Sequence, residues 1–291
     1  MAIADLIGKL FAARYLSGVT QSTPYLLFAD DRSAEVESGD GVVMGVGNLG
    51  VQVGDYPASG AITYRTISPG AVTLSVDKEK YVAFSVEDTN NARTRVNLVS
   101  EAANEASRVI RKQVESDIRS MLVAATPTET FAVSTAKADA TTKAERIRTA
   151  QGIIDMVESV KAAGYTQRPV LFLDRMMGKV MTQYITQDDA LNVALVDQVR
   201  SVFINGALST LFGADVVVDY GFTVDQDAAT TAVEAVMVIP NRTIAYAQQL
   251  TVPEIMRSDS RFATNYRALM TYGSAIQDAD ALWHMTVTPA A

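Results

Sequence analysis

Apolar residues recur three and four apart between Asn97 and Val123, at Val99, Ala102, Ala103, Ala106, Val109, Ile110, Val114, Ile118, Met121 and Leu122. That is the spacing of one face of an α-helix. On the other side Glu105 precedes Arg108, Arg111 precedes Glu115, and Glu115 precedes Arg119 at helix-neighbour distances. Each such pair is worth ~0.2–0.5 kcal/mol. No Gly or Pro interrupts the run before Pro127, so the pattern predicts one helix of about 40 Å at 1.5 Å per residue. Periodicity alone fits a core helix of any α+β protein, so its flanks carry the rest of the reading.

Upstream, Ile3, Leu6, Ile7, Leu10, Phe11 and Tyr15 form the stripe of a short amphipathic helix over 3–16, which ordinarily packs on its own core. Ser17-Gly18 and Ser22-Thr23-Pro24 break it, and a second apolar patch follows at Tyr25–Phe28. Gly39, Gly41, Gly45, Gly47, Gly50, Gly54, Gly60 and Gly70 then crowd into one stretch. Glycine weakens regular elements and permits bends, so this stretch reads as a bulged, extended ribbon. Strand candidates within it are Val42–Val46, Gly50–Val53, Ala61–Ile67 and Val72–Val76, with a turn at Ser68-Pro69-Gly70. A two-stranded ribbon is marginal alone in water. With no evident partner nearby in the chain, it is expected to draw its stability from a neighbouring subunit. Lys80–Glu87 alternates, with Val82, Phe84 and Val86 on one face and Tyr81, Ala83 and Ser85 on the other, the pattern of a half-buried strand.

Downstream, Thr126–Thr142 lacks periodicity and reads as a linker or exposed loop. A second helix is predicted over Lys143–Ala163, with Ile147, Ala150, Ile153, Ile154, Val157 and Val160 on its stripe and Gly164 as its stop. Pro169–Leu173 reads as a buried strand, Arg175–Tyr184 as a short helix, Asp188–Ser209 as mixed helix and loop. Further strands are expected at Ala214–Asp219 and Ala235–Ile239, which makes an α/β lobe of about 142–255. Arg261–Tyr272 and Ala281–Val287 read as strands that return to form a sheet beside the long helix.

Composition narrows the chemistry. The 291 residues are 48% hydrophobic and 20% charged with net charge −8, a globular balance that gives no basic surface for nucleic acid. Without cysteine, disulfides, thiolate metal sites and cysteine nucleophiles are all excluded. One histidine, His284, rules out a multi-histidine metal site within one chain. Asp5, Lys9 and Arg14 interrupt the N-terminal apolar run, which argues against a signal peptide, and no stretch of 18 apolar residues exists to span a membrane.

Local motifs point to ordinary turns. Gly45-Val-Gly47-Asn-Leu-Gly50 matches G-x-G-x-x-G, but Val51–Pro57 follows it and cannot open the helix that would receive a pyrophosphate. Asp88, Asn90 and Asn91 lack the calcium-loop spacing, and Asp225 with Asp227 reads as a solvated loop tip. No catalytic, cofactor or metal site is expected, and no cofactor.

The order of these features resembles the major capsid proteins of tailed phages of the Hong Kong 97 type. An N-terminal arm leads through VESGDGVVM to a glycine-rich ribbon ending DYPASGAITYRTISPGAVTLSVDKEKYVAFSVED. The long helix, the α/β lobe and the closing SDSRFATNYRALMTYGSAIQDADAL follow, so the resemblance covers nearly the whole chain. It implies an α+β capsid fold with an N-terminal arm over 1–46, an extended E-loop hairpin over 47–80 and a peripheral domain over 81–141. That domain holds a spine helix at 97–123 and is completed by closing strands over 256–291, with an α/β axial domain between them over 142–255. It implies a structural protein of the virion, made in the bacterial host cytoplasm. Its partners would be copies of itself in hexamers and pentamers of an icosahedral shell, with a scaffolding protein, a portal and a decoration protein as further candidates. Double-stranded DNA would be packaged without sequence-specific contact, and no membrane would take part.

Contacts between copies are expected at Phe11, Tyr25, Phe28, Tyr56, Tyr64, Ile67 and Pro69. The leading third of the chain is expected to complete itself by lying across other copies. The lysine–asparagine crosslink of a few family members is not expected, because Lys78 and Lys80 sit at the ribbon's base and no lysine lies between 10 and 77. The arm opens at Met1, so scaffolding is expected from a separate protein. Alternatives are an encapsulin-type nanocompartment shell protein, which shares the fold, and an α/β enzyme using carboxylates such as Asp174, Asp188 and Asp189.

Overall fold

The structure, a computed structural model, describes residues 11–18, 23–36, 41–45, 71–87, 98–135, 142–187, 209–219, 221, 232–250 and 253–289. A helix α1 over 11–18 is followed by β1 (Asp30–Asp31), β2 (Gly41–Gly45), β3 (Ala71–Ser75) and β4 (Lys78–Glu87). Next come α2 (Leu98–Ala124), β5 (Glu129–Thr135), α3 (Lys143–Ala162), β6 (Val170–Asp174) and α4 (Arg175–Gln187). The remainder is β7 (Ser209–Leu211), β8 (Ala214–Asp219), β9 (Ala232–Val238), β10 (Ile244–Leu250), β11 (Glu254–Arg257), β12 (Ala263–Ile276) and β13 (Leu282–Pro289).

The long helix runs where the periodicity puts it. Val99, Ala103, Ala106, Ile110, Val114, Ile118 and Leu122 form one buried stripe, whereas Val109 at its margin is exposed. Helix α3 starts at a capping box. The Thr142 hydroxyl accepts from the Glu145 N–H, and the Glu145 carboxylate accepts from the Thr142 N–H. It stops at Gly164, whose φ of +85° suits a residue without a Cβ. Ile147, placed on the stripe by spacing, is exposed.

Two sheets share α2. In the five-stranded sheet, β12 is the central strand. It pairs antiparallel with β4 along one edge and with β10 and β11 end to end along the other, and β1 adds to β10 in parallel. Alternation along β4 and β12 turns Val82, Phe84, Tyr266, Ala268 and Met270 toward α2 and leaves Tyr81, Ala83 and Arg267 on the outer face.

The six-stranded sheet runs β5-β13-β9-β6-β8-β7. Its central strand β6 is apolar on both faces: Leu171 and Leu173 pack with α3 and α4, whereas Val170 and Phe172 join the cluster around α2. The lone histidine tucks its ring beneath the C-terminal end of α2. His284 Nε2 lies 3.0 Å from the Leu122 carbonyl, so Nε2 carries the proton and donates.

Two sequence expectations are corrected here. Leu282–Pro289 does not close the sheet that flanks the long helix through β4. It sits inside the six-stranded sheet, parallel to β5 and antiparallel to β9. Residues 129–135, read as part of a loop, form β5, an edge strand whose Glu129, Thr130 and Ala132 are exposed and so hide its alternation. Within 142–255, read as an α/β lobe, β10 pairs with β12 in the five-stranded sheet and not with the strands of the six-stranded one.

Candidate assembly surface

The residues singled out as contacts between copies fall into two groups. Tyr56, Tyr64, Ile67 and Pro69 lie outside the described residues. Phe11 and Tyr25 are fully buried in the chain's own core, which corrects the expectation for both. Phe11 meets Phe84 and Tyr266 edge-on at ring separations of 5.6 and 5.1 Å. Tyr25 stacks on Phe172 at 4.3 Å, and the half-buried Phe28 meets the same ring edge-on at 6.2 Å. These aromatic rings are large enough that the core of α2 and the two sheets is complete only with them in place. The described part of the leading third is therefore tied to its own chain.

A polar junction reinforces that tie. Tyr25 Oη donates to Asp219 Oδ2 at 2.5 Å, and Arg119 donates to the same carboxylate from Nε at 2.5 Å and Nη2 at 2.9 Å. The Gly221 N–H adds a fourth bond at 2.8 Å. Burial, with the adjacent Asp219 carboxylate, pushes the Tyr25 hydroxyl far above its ordinary range, so it stays protonated and donating. The junction joins the N-terminal segment, α2 and the end of β8. It floors an open groove of about 750 Å³, whose walls include Arg108, Lys112 and Glu115. Burial and then Asp219 raise the Glu115 carboxyl.

The carboxylates considered for catalysis do not converge. Asp174 is buried at the end of β6, where it accepts from the Met176 N–H at 2.8 Å and opens α4, and burial raises its carboxyl. Asp188 and Asp189 lie outside the described residues. Among the described residues no three His, Cys, Asp or Glu side chains gather as a metal site. No helix among them is long and apolar enough to cross a membrane.

What the described chain leaves open is the part of the outer face of the five-stranded sheet formed by β4, β11 and the first half of β12. Tyr81 is 76% exposed and Met256 is half exposed, and Phe262, in the bend just before β12, is 83% exposed. Tyr81 faces Leu269 across the β4–β12 pair, and Met256 faces Asn265 across β11–β12, so these positions share one face. Among the described residues β4 pairs only with β12, which leaves ten residues of strand edge with unpaired backbone groups. Such an edge is a template for another strand. The alternation of the sequence already sets Tyr81 with Ala83 and Ser85 opposite the Val82, Phe84 and Val86 face, and a large aromatic in that company is the legible signal. Met256 and Phe262 carried no comparable signal.

The whole architecture has known counterparts. The chain superposes on a structure of Mycobacterium phage Che8 with a TM-score of 0.68 and 20% identity, over 91% of this chain and 92% of the other. The capsid structure of cyanophage P-SCSP1u matches with a TM-score of 0.68 and 11% identity, over 93% and 89%. The fold is that of Hong Kong 97-type capsid proteins. A virus-like particle from Pyrococcus furiosus shares it with a TM-score of 0.58 and 9% identity, over 95% of this chain and 98% of the other. No protein-family model matches the sequence, and no curated protein is significantly similar to it. The capsid fold is thus retained where sequence identity is 20% or less, as expected when pattern rather than residue identity specifies a core.

Proposed function

We propose that this chain is the major capsid protein of a tailed phage, a structural subunit without a catalytic role that needs no cofactor. It assembles into hexamers and pentamers of an icosahedral shell, the virion capsid, around double-stranded DNA. Synthesis takes place in the bacterial host cytoplasm, with a scaffolding protein, a portal and a decoration protein as further partners. The observation that carries this reading is agreement of fold with phage capsid structures over about nine-tenths of each chain. The exposed Tyr81 and Met256 of the outer face and the open edge of β4, together with the 47–80 loop, are the surfaces assigned to contacts between copies. Obligate interfaces of this kind bury about 2,000–5,000 Å².

Negative-stain microscopy and sedimentation of the purified full chain test the proposal. Closed particles, pentamers or hexamers are expected, and a stable monomer at micromolar concentration overturns it. Particles from infected cells should hold nuclease-protected DNA, whereas shells filled with an enzyme would mark a nanocompartment.

A further inference from the structure

The β2–β3 ribbon is gripped where it joins β4. Strand β3 pairs with β2 from Gly41 opposite Ser75 to Gly45 opposite Ala71, and after Val76 and Asp77 the chain enters β4, where Lys78 lies opposite Tyr272. Between these two pairings the chain folds back across the outer face of the five-stranded sheet. The crossing point is Gly273. A Cβ there would stand 1.9 Å from the Ser75 carbonyl oxygen, 2.8 Å from its carbon and 3.0 Å from Val76 Cα. Non-bonded heavy atoms ordinarily sit about 3.5 Å apart, so any larger residue would force the ribbon's backbone outward by about 1.5 Å.

The floor around Gly273 is small throughout. Ala247 lies opposite Gly273 and Ala245 opposite Ala275, all on the outer face, whereas the intervening Tyr246 and Tyr272 belong to the cluster around α2. Leu74 and Val76 of the ribbon root are buried on this floor, with Val36 and Val72 alongside. The next residue of the grip works on the opposite face. Lys78 Nζ lies 3.4 Å from Asp117 Oδ2 on α2 and 5.9 Å from the centroid of the Tyr272 ring. Tyr272 Oη donates to the same Asp117 oxygen at 2.7 Å, and Gln113 Nε2 donates to Oδ1 at 2.9 Å. Burial pulls the Asp117 carboxyl upward, but Tyr272, Lys78 and Gln113 outweigh it and hold the group below its ordinary range, so it remains the anionic half of the clamp. Leu74, Val76 and the Ser75 backbone on one face and Lys78 on the other are therefore held from both sides of one sheet.

We infer that Gly273, with Leu74 seated on the small-residue floor beside it, is the positioning element that fixes the angle at which the ribbon leaves the subunit, and that the root is a rigid mount and not a hinge. The inference rests on the shell reading only for what the ribbon points at, which is a neighbouring copy. At its root the ribbon does have a partner in its own chain, where none is evident nearby in the sequence.

The test is a distance measurement on the unassembled full-length chain, by double electron–electron resonance between nitroxides at Thr73 on the ribbon and Lys112 on α2. The otherwise unsubstituted protein should give one narrow distance. Gly273→Ala should displace that peak, and Leu74→Ala should broaden it, with far-ultraviolet circular dichroism unchanged in both. A broad distribution in the unsubstituted chain, or a peak unmoved by both substitutions, overturns the mount. Should Gly273→Ala fail to fold, Leu74→Ala decides alone. In assembly, Gly273→Ala should yield misclosed or wrongly sized particles, and normal particles despite a displaced peak would refute its role in setting ribbon direction. If the unsubstituted chain forms no particles at all, the shell reading falls while the distances still judge the mount.

Discussion

The two sheets meet the same helix and end differently. The six-stranded sheet is covered on one face by α3 and α4 and on the other by α2 and the N-terminal segment, and its central strand β6 is buried at every residue. The five-stranded sheet is covered by α2 on one face only. On the other it carries the ribbon root over β10 and β12, and leaves Tyr81 and Met256 in solvent. The first sheet is a finished core that resembles any doubly covered α/β layer. The second is finished by what lies on it, in part by the chain's own ribbon root. A subunit built this way can hold its shape alone while still presenting a face that prefers company.

The largest way to break this contrast is to strike the helix that both sheets share. Ile110→Asp, at a site 3% exposed, should lower unfolding free energy by about 4 kcal/mol or more, because it buries an unpaired charge. Urea unfolding followed by circular dichroism checks it. An unchanged midpoint would remove α2 from both cores.

Next in size is the junction that ties the N-terminal segment to the finished sheet. Arg119→Met leaves the Asp219 carboxylate largely buried without its cation, so a loss of about 3 kcal/mol is expected. A loss below about 0.5 kcal/mol would show that the ring stacking of Tyr25 holds the segment unaided.

A smaller effect should come from His284. Burial lowers its pKa, against a weaker upward pull from the hydrogen bond to the Leu122 carbonyl. The folded state therefore binds fewer protons than the unfolded chain over the window just below the ordinary histidine value of ~6.5. The neutral ring's contribution is fully present above that value and declines as pH falls toward the depressed folded pKa. Urea midpoints at about pH 7.5 and about pH 5.5 should differ in the natural chain and differ less in His284→Gln.

The smallest expected change in stability accompanies the deletion of Gly50–Gly70, beyond the gripped root. Its midpoint should move by less than about 0.5 kcal/mol while particle formation is lost. Unfolding on deletion would place the ribbon inside the subunit's own core and collapse the contrast between the two sheets.

Much of this architecture is written in one dimension. The seven buried apolar positions of α2 repeat at three and four residues, Val82, Phe84 and Val86 alternate, and Thr142 with Glu145 and Gly164 mark the ends of α3. These signals are local: helix and strand periods and end caps depend on neighbours within a few residues, which a sequence displays directly. The order of elements carried the resemblance to a capsid fold for the same reason. Tertiary structure alone decided which surfaces meet. That β13 joins β5 and β9, that Phe11 and Tyr25 turn inward, that Arg119 finds Asp219 a hundred residues away, and that Ser75 crosses at Gly273 are pairings between distant segments. An apolar residue states that it will be buried but not against what, since the hydrophobic effect has no direction. Direction comes from register, ring geometry and a single missing Cβ, and those exist only once the chain has folded.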